Sequence, residues 1–207
     1  MSQIVIGGLG PGTERLVPET SLTILRNHPT FLRTRRHPCA HLFNAAESFD
    51  DLYDSSDSLE NVYAAIVETL VSEAIRLGTI GYLVPGSPLV AEHTVELLRM
   101  QTKVAVEVIP SVSFLDLAWE RLQVDPMAKR VTIVNGQNFE KEAAGLTGSV
   151  LVAQCDNRFV LSDIKLSINV HKPPMVTVLQ RLGLDDESVL DRKSTRLNSS
   201  HLVISYA

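Results

Sequence analysis

Three short stretches carry the residue types that bring a backbone close to a ligand. They are IVIGGLGPGTERL at residues 4–16, VPGSPLVAE at 84–92 and IPSVSFLDLA at 109–118. Glycine lets the main chain approach closely, and serine and proline fix tight turns beside it. The first stretch invites a test for a dinucleotide loop, G-x-G-x-x-G with an acid about 20 residues further on. Gly8 and Gly10 supply the first half, but Thr13 stands at the third glycine and Pro11 removes an N–H donor. The end of the second predicted strand carries Arg33, Thr34, Arg35 and Arg36, with no acid for a ribose hydroxyl. An arginine there suits a 2′-phosphate, so NADP stays an open alternative. No Lys-Ser/Thr pair completes a Walker loop.

Other reactive residues are sparser. RTRRHPCAH at 33–41 gathers Arg33, Arg35, Arg36, His37 and His41. The two histidines are four apart, yet Pro38 lies between them and no third ligand accompanies them, so no metal site is expected. The arginines suit an anion site for carboxylates or phosphates. Asp50, Asp51, Asp54 and Asp57 read as a solvated loop leading into a helix, and Trp119 as a core residue. No Ser/His/Asp or Cys/His set assembles. Cys39 and Cys155 lie in no CxxC or Cys/His pattern, which suits free thiols in a reducing cytosol.

Elements that position these loops follow from patterning. Strands are expected at 3–6, 30–33, 80–84 and 103–109, and helices at 18–27 and 89–100, with one or two helical turns at 40–47. The last of these helices is expected to have Ser87 as N-cap and Pro88 in its first turn. SFDDLYDSSDS at 48–58 reads as an acidic loop. The clearest helix carries Leu59, Val62, Tyr63, Ile66, Val67, Leu70, Val71 and Ala74 on one face. Asp57 with Glu60 resembles its capping box, and Gly78 its stop. The pattern restarts after Pro110. A helix at 114–123, with Ser113 and Asp116 as a capping pair, precedes strands at 131–134 and 149–154, a helix at 159–169 and a strand at 175–180. Such alternation predicts an α/β fold with a mostly parallel sheet. Ligands bind beyond the carboxyl ends of such strands, where the three loops would form one pocket.

Composition sets outer limits. The 207 residues are 44% hydrophobic and 21% charged, enough for one large domain or two small ones. A net charge of −5 argues against a general nucleic-acid or anionic-membrane binder. No apolar run reaches the ~18 residues that span a bilayer, and no leader with a cleavage site is present, so a cytoplasmic protein is expected.

GLGPG at 8–12, PGSP at 85–88 and SVSFLD at 111–116 resemble the tetrapyrrole (corrin/porphyrin) methylases. The resemblance runs over about residues 3–184. It implies two α/β subdomains with a cleft between them, S-adenosylmethionine as cofactor, and a homodimer. Gly10, Pro11, Gly12, Pro85, Gly86, Ser87, Val90, Ser111 and Ser113 carry over as cofactor-binding residues, with Gln154 joining from the second subdomain. Thr13 and Ser87 stand where methylases of known activity carry aspartate. FLRTRRHP, FDDLY, VPGSPLVAEHTVELL and VSFLDLAWERLQVDP are most similar to the methylase-like N-terminal domain fused to MazG-type nucleoside triphosphate pyrophosphohydrolases. Two functions are therefore expected as alternatives. One is an S-adenosylmethionine-dependent methyltransferase acting on a small-molecule acceptor. The other is a non-catalytic ligand-binding or regulatory module of a pyrophosphohydrolase. No E-E-x-x-E cluster for the latter's magnesium occurs in the chain. RKSTRLNSSHLVISYA at 192–207 resembles translated sequencing-adapter read-through, although its residues 202–206 have the pattern of a short strand. The expected organisation is a first subdomain at 1–110, an incomplete second at 111–190 and a non-native tail at 191–207.

Overall fold

The computed structural model describes residues 2–155, 157–168 and 175–193. It divides into two compact units, the boundary falling between Phe114 and Leu115.

The first unit is an open sheet. Its strands are β1 (Gln3–Gly8), β2 (Thr30–Leu32), β3 (Glu47–Ser48), β4 (Thr79–Val84) and β5 (Ala105–Val108), and every pairing between them is parallel, in the order β3-β2-β4-β1-β5. Helices α1 (Glu19–Asn27), α2 (Asp50–Ser55), α3 (Leu59–Leu77) and α4 (His93–Met100) connect them. Alternation along the strands divides the core in two. Ile4, Ile6, Ile80, Tyr82 and Val84 face Val62, Ile66, Leu70 and Ala74 of α3 and Val95 and Leu98 of α4. Val5, Leu9, Leu32 and Leu83 pack with Ile24 of α1 and with Ala40 and Phe43 of a 3-10 turn, Ala40–Phe43. Both faces are therefore covered, as a parallel sheet requires.

Several expectations change here. The acidic loop holds α2 and the end of β3 instead, with β3 beginning at Glu47 inside the stretch expected as helical turns, and Asp50 is drawn into a hydrogen-bonded cluster described below. The long helix is capped by Ser58, whose hydroxyl accepts the Asn61 N–H at 3.2 Å, and not by Asp57. Its stop is as expected: Gly78, at φ +93°, gives its N–H to the Ala74 carbonyl. Helix α4 begins at His93, not at residue 89. Ser87 closes a turn by accepting the Val90 N–H, so it caps no helix.

The second unit contains α5 (Phe114–Leu122), β6 (Thr132–Asn135), α6 (Phe139–Ala143), β7 (Val150–Ala153), α7 (Arg158–Ser167), β8 (Met175–Gln180) and β9 (Ser188–Lys193). Strands β6 and β7 pair in parallel, and β8 and β9 form an antiparallel hairpin. The expected polar stretch between β6 and β7 holds α6. Asn157 caps α7 by accepting from the N–H groups of Phe159 and Val160. Leu161 and Ile164 of α7 form a small core with Cys155. Trp119 is half-buried on α5 and joins no buried cluster among the described residues. Strand β9 runs past the expected boundary at 190, where Asp191 accepts a hydrogen bond from the Thr177 hydroxyl at 2.7 Å. The expected end of the seventh helix at Asn169, and the strand-like pattern at 202–206, lie outside the described residues.

Candidate functional site

Strands β4, β1 and β5 are neighbours, so the loops leaving their carboxyl ends emerge side by side. The first two are zipped together. Gly10 and Gly86 form an antiparallel bridge, with N–H to O distances of 3.2 Å in one direction and 2.9 Å in the other. The third joins through Ser111, whose hydroxyl accepts the Gly8 N–H at 3.0 Å. From behind, the Ser21 hydroxyl of α1 donates to the Gly8 carbonyl at 2.6 Å.

The two glycines that matter most serve different ends. A Cβ on Gly8 would sit 2.0 Å from the Gly86 carbonyl oxygen and 2.6 Å from the Ser111 Cβ, so glycine is required for the loops to close. Gly86 adopts φ +62°, which an L side chain resists, and a Cβ there would meet nothing within 4 Å. Its Cα faces open space on the outside of the bridge.

The segment after β2 braces this cradle. His37 is buried. Its Nδ1 accepts the Cys39 N–H at 3.1 Å, which leaves the proton on Nε2, 3.0 Å from the Gly10 carbonyl oxygen. Burial pulls the His37 pKa below its ordinary value, against the pull of the Gly10 carbonyl. The Cys39 thiol donates to the Gly12 carbonyl at 3.0 Å, and burial, with the nearby Glu14, pushes it up to about 11. His41 turns instead to Glu14, at 2.7 Å. The two histidines thus have separate partners, and among the described residues no three His, Cys, Asp or Glu side chains gather as metal ligands. Asp50 accepts from the Thr34 hydroxyl, from the Arg35 N–H at 2.7 Å and from the Ser48 hydroxyl at 3.0 Å. Burial raises its pKa, but these bonds and Arg36 outweigh that and hold the carboxyl below its usual range.

A buried ion pair joins this brace to the second loop. Arg33 Nη1 lies 3.0 Å from Glu92, the last residue of the VPGSPLVAE stretch, and Arg33 Nε donates to the Tyr53 hydroxyl at 3.0 Å. Burial pushes the Glu92 carboxyl upward, and Arg33 partly offsets it. The Tyr82 hydroxyl, Thr94 hydroxyl and Glu92 Oε1 are buried here without well-formed hydrogen bonds among the described residues, Thr94 lying in reach of the other two.

Of the sequence-predicted residues, Gly10, Pro11, Gly12, Pro85, Gly86, Ser87, Val90, Ser111 and Ser113 all belong to the first unit, on the loops that leave its three central strands. Gln154 follows β7 in the second unit, at φ +56°. Sequence reasoning did not find the roles of Glu92, His37, Cys39 and Ser21. Glu92 had one signal, as the single charge in VPGSPLVAE.

A parallel sheet whose adjacent central strands feed one glycine-bridged set of loops defines an α/β protein of the open-sheet class. Within that class the chain belongs to the Tetrapyrrole (Corrin/Porphyrin) Methylases, whose family model matches residues 3–197. It is 30% identical over 174 residues to the Bacillus subtilis (strain 168) protein described as "Uncharacterized protein YabN", covering 80% of this chain and 35% of that one. It therefore spans about a third of the length of that relative. Among solved structures it is similar to precorrin-6Y methylase of Archaeoglobus fulgidus, with TM-score 0.68 and 18% identity over 95% of this chain and 92% of that one. It is also similar to uroporphyrin-III C-methyltransferase of Thermus thermophilus in complex with S-adenosylhomocysteine. There the TM-score is 0.66 and the identity 16%, over 93% of this chain and 89% of that one. At such identities these likenesses establish the fold. No described helix is long and apolar enough to cross a membrane.

Proposed function

We propose that the chain is an S-adenosylmethionine-dependent methyltransferase that holds its cofactor on the bridged loops leaving β1, β4 and β5. The observation that carries this reading is the Gly10–Gly86 bridge with Gly8 closed against it, which presents the open Cα of Gly86 to a ligand. The residues present fit such a group. Pro11, Gly12, Pro85 and Ser87 flank the bridge in sequence, and Thr13 and Ser87 bring hydroxyls where other methylases carry carboxylates.

When bound, the sulfonium supplies an already electrophilic methyl group. The chain's part is then to position and desolvate the reactants, which needs no nucleophile of its own. Gly8, Ser21 and Ser111 hold the first loop in place before ligand arrives, so little ordering remains to be done on binding. His37, neutral and donating to Gly10, fixes the outer edge of the same loop. The same reading extends to a cytoplasmic homodimer with a MazG-type pyrophosphohydrolase domain elsewhere in a longer natural protein. The length of the YabN relative, of which this chain covers 35%, supports a further domain in that longer protein. The resemblance of 192–207 to adapter sequence supports treating that tail as foreign.

Calorimetric titration with S-adenosylhomocysteine tests the proposal, with NADP and ATP in parallel. Micromolar binding of S-adenosylhomocysteine alone is expected. Gly86→Trp points its ring into the open space beside the bridge and is expected to abolish binding while leaving the circular dichroism spectrum intact. No binding by the folded wild type overturns the reading.

A further inference from the structure

The three arginines after β2 are equivalent in sequence, and the structure separates them. Arg36 pairs with Asp54 at 2.6 Å and lies 3.9 Å from Asp50. Arg35 spends its Nη2 on the backbone oxygens of Ala46 and Asn44. Arg33 is held differently. Glu92 takes Nη1, the Tyr53 hydroxyl takes Nε, and the guanidinium carbon stands 5.4 Å from the Tyr53 ring centroid. Three sides of the group are thereby fixed, while Nη2 has no partner among the described residues and is not fully buried. The Arg33 side chain keeps 14% of its surface exposed, against 1% for Glu92. The free edge therefore reaches the surface at the carboxyl end of the sheet, next to the second cradle loop.

We propose that Arg33 is the anion-recognising residue of the acceptor site and takes one carboxylate or phosphate group on its Nη2 edge. A guanidinium already oriented by a carboxylate, a hydroxyl and a ring loses little freedom on binding a planar or tetrahedral anion. Glu92 sets the limit. It neutralises Arg33, Asp54 neutralises Arg36, and the Asp50 carboxylate sits beside Arg35 and Arg36, so this end of the first unit accommodates one anionic group and not a polyanion. The acceptor class is thus a molecule with a single carboxylate or phosphate near its nucleophile. The inference rests on the methyltransferase reading for the word acceptor, but the anion site itself does not.

The test is an NMR titration of the full chain with inorganic phosphate and, separately, with acetate, followed at the arginine Nε–H resonances. Arg33→Lys identifies the Arg33 signal. Both anions are expected to move that signal saturably in the millimolar range, with the stronger response naming the preferred group. Arg36→Gln is expected to change nothing. Arg33→Met combined with Glu92→Met removes both charges together, so neither is left alone in the interior. It should weaken anion binding by about tenfold or more. A motionless Arg33 signal, a response carried by Arg36, or unchanged binding in the double variant overturns the proposal. S-adenosylhomocysteine calorimetry on the same samples is read independently, so failure of the anion site and failure of the cofactor cradle are told apart.

Discussion

Protonating His37 is incompatible with the bonds it makes. Nδ1 accepts the Cys39 N–H, so a proton placed there forces two donors together inside the protein. Burial accordingly lowers its folded pKa below the unfolded value of about 6.5. The sign follows by linkage. The stability His37 contributes is full above that value and is lost as pH falls through the folded pKa, because the unfolded chain binds the proton first. Urea unfolding midpoints measured between about pH 7.5 and pH 5 should therefore fall more steeply for wild type than for His37→Gln, which keeps a donor for Gly10 but cannot titrate. Parallel curves would show that the His37 ring does not report on this site. His41, raised by Glu14, acts in the opposite sense but equally in both proteins.

Among elements, α3 gives the sharpest contrast between neighbours. Ser58→Ala removes the hydroxyl that accepts the Asn61 N–H and should cost about 1 kcal/mol in urea denaturation. Asp57→Ala removes only a charge near the helix start and should cost about 0.3 kcal/mol. Equal losses would return the cap to Asp57. The same pair shows what was legible beforehand. The apolar face of α3 and its glycine stop repeat at the helical period, so the element was readable, whereas two adjacent residues with capping side chains differ only in backbone angles that patterning does not contain. The elements at 47–55 were hidden for another reason. Asp50 reads as a solvated acid, but here it is tied to Thr34, Arg35 and Ser48, and that tertiary network organises the short strand and helix. The cradle loops were readable from their Gly, Pro and Ser content. Their mutual bridge was not, since no local signal pairs residue 10 with residue 86.

For the whole molecule, burial is unevenly shared. The first unit encloses two clusters built on both faces of its sheet, while the described part of the second encloses one small cluster, Cys155, Leu161 and Ile164, with Ala118, Val134, Val178 and Leu179 buried outside it. Local opening costs least where few apolar contacts are lost. Hydrogen exchange read by mass spectrometry should find peptides of β1, β4 and α3 slowest and those of β6 and β7 faster. The reverse order would mean that the second unit draws its stability from packing beyond its own small core.

The bond between Gly8 and Ser111 has a consequence for the protein's birth. Its two ends are 103 residues apart in the chain. A ribosome adding about 5–20 residues per second needs roughly 5–20 s to deliver the second after the first. During that interval the glycine loop is synthesised but its third wall does not yet exist. The loops leaving the central strands can lock together only once Ser111 has emerged.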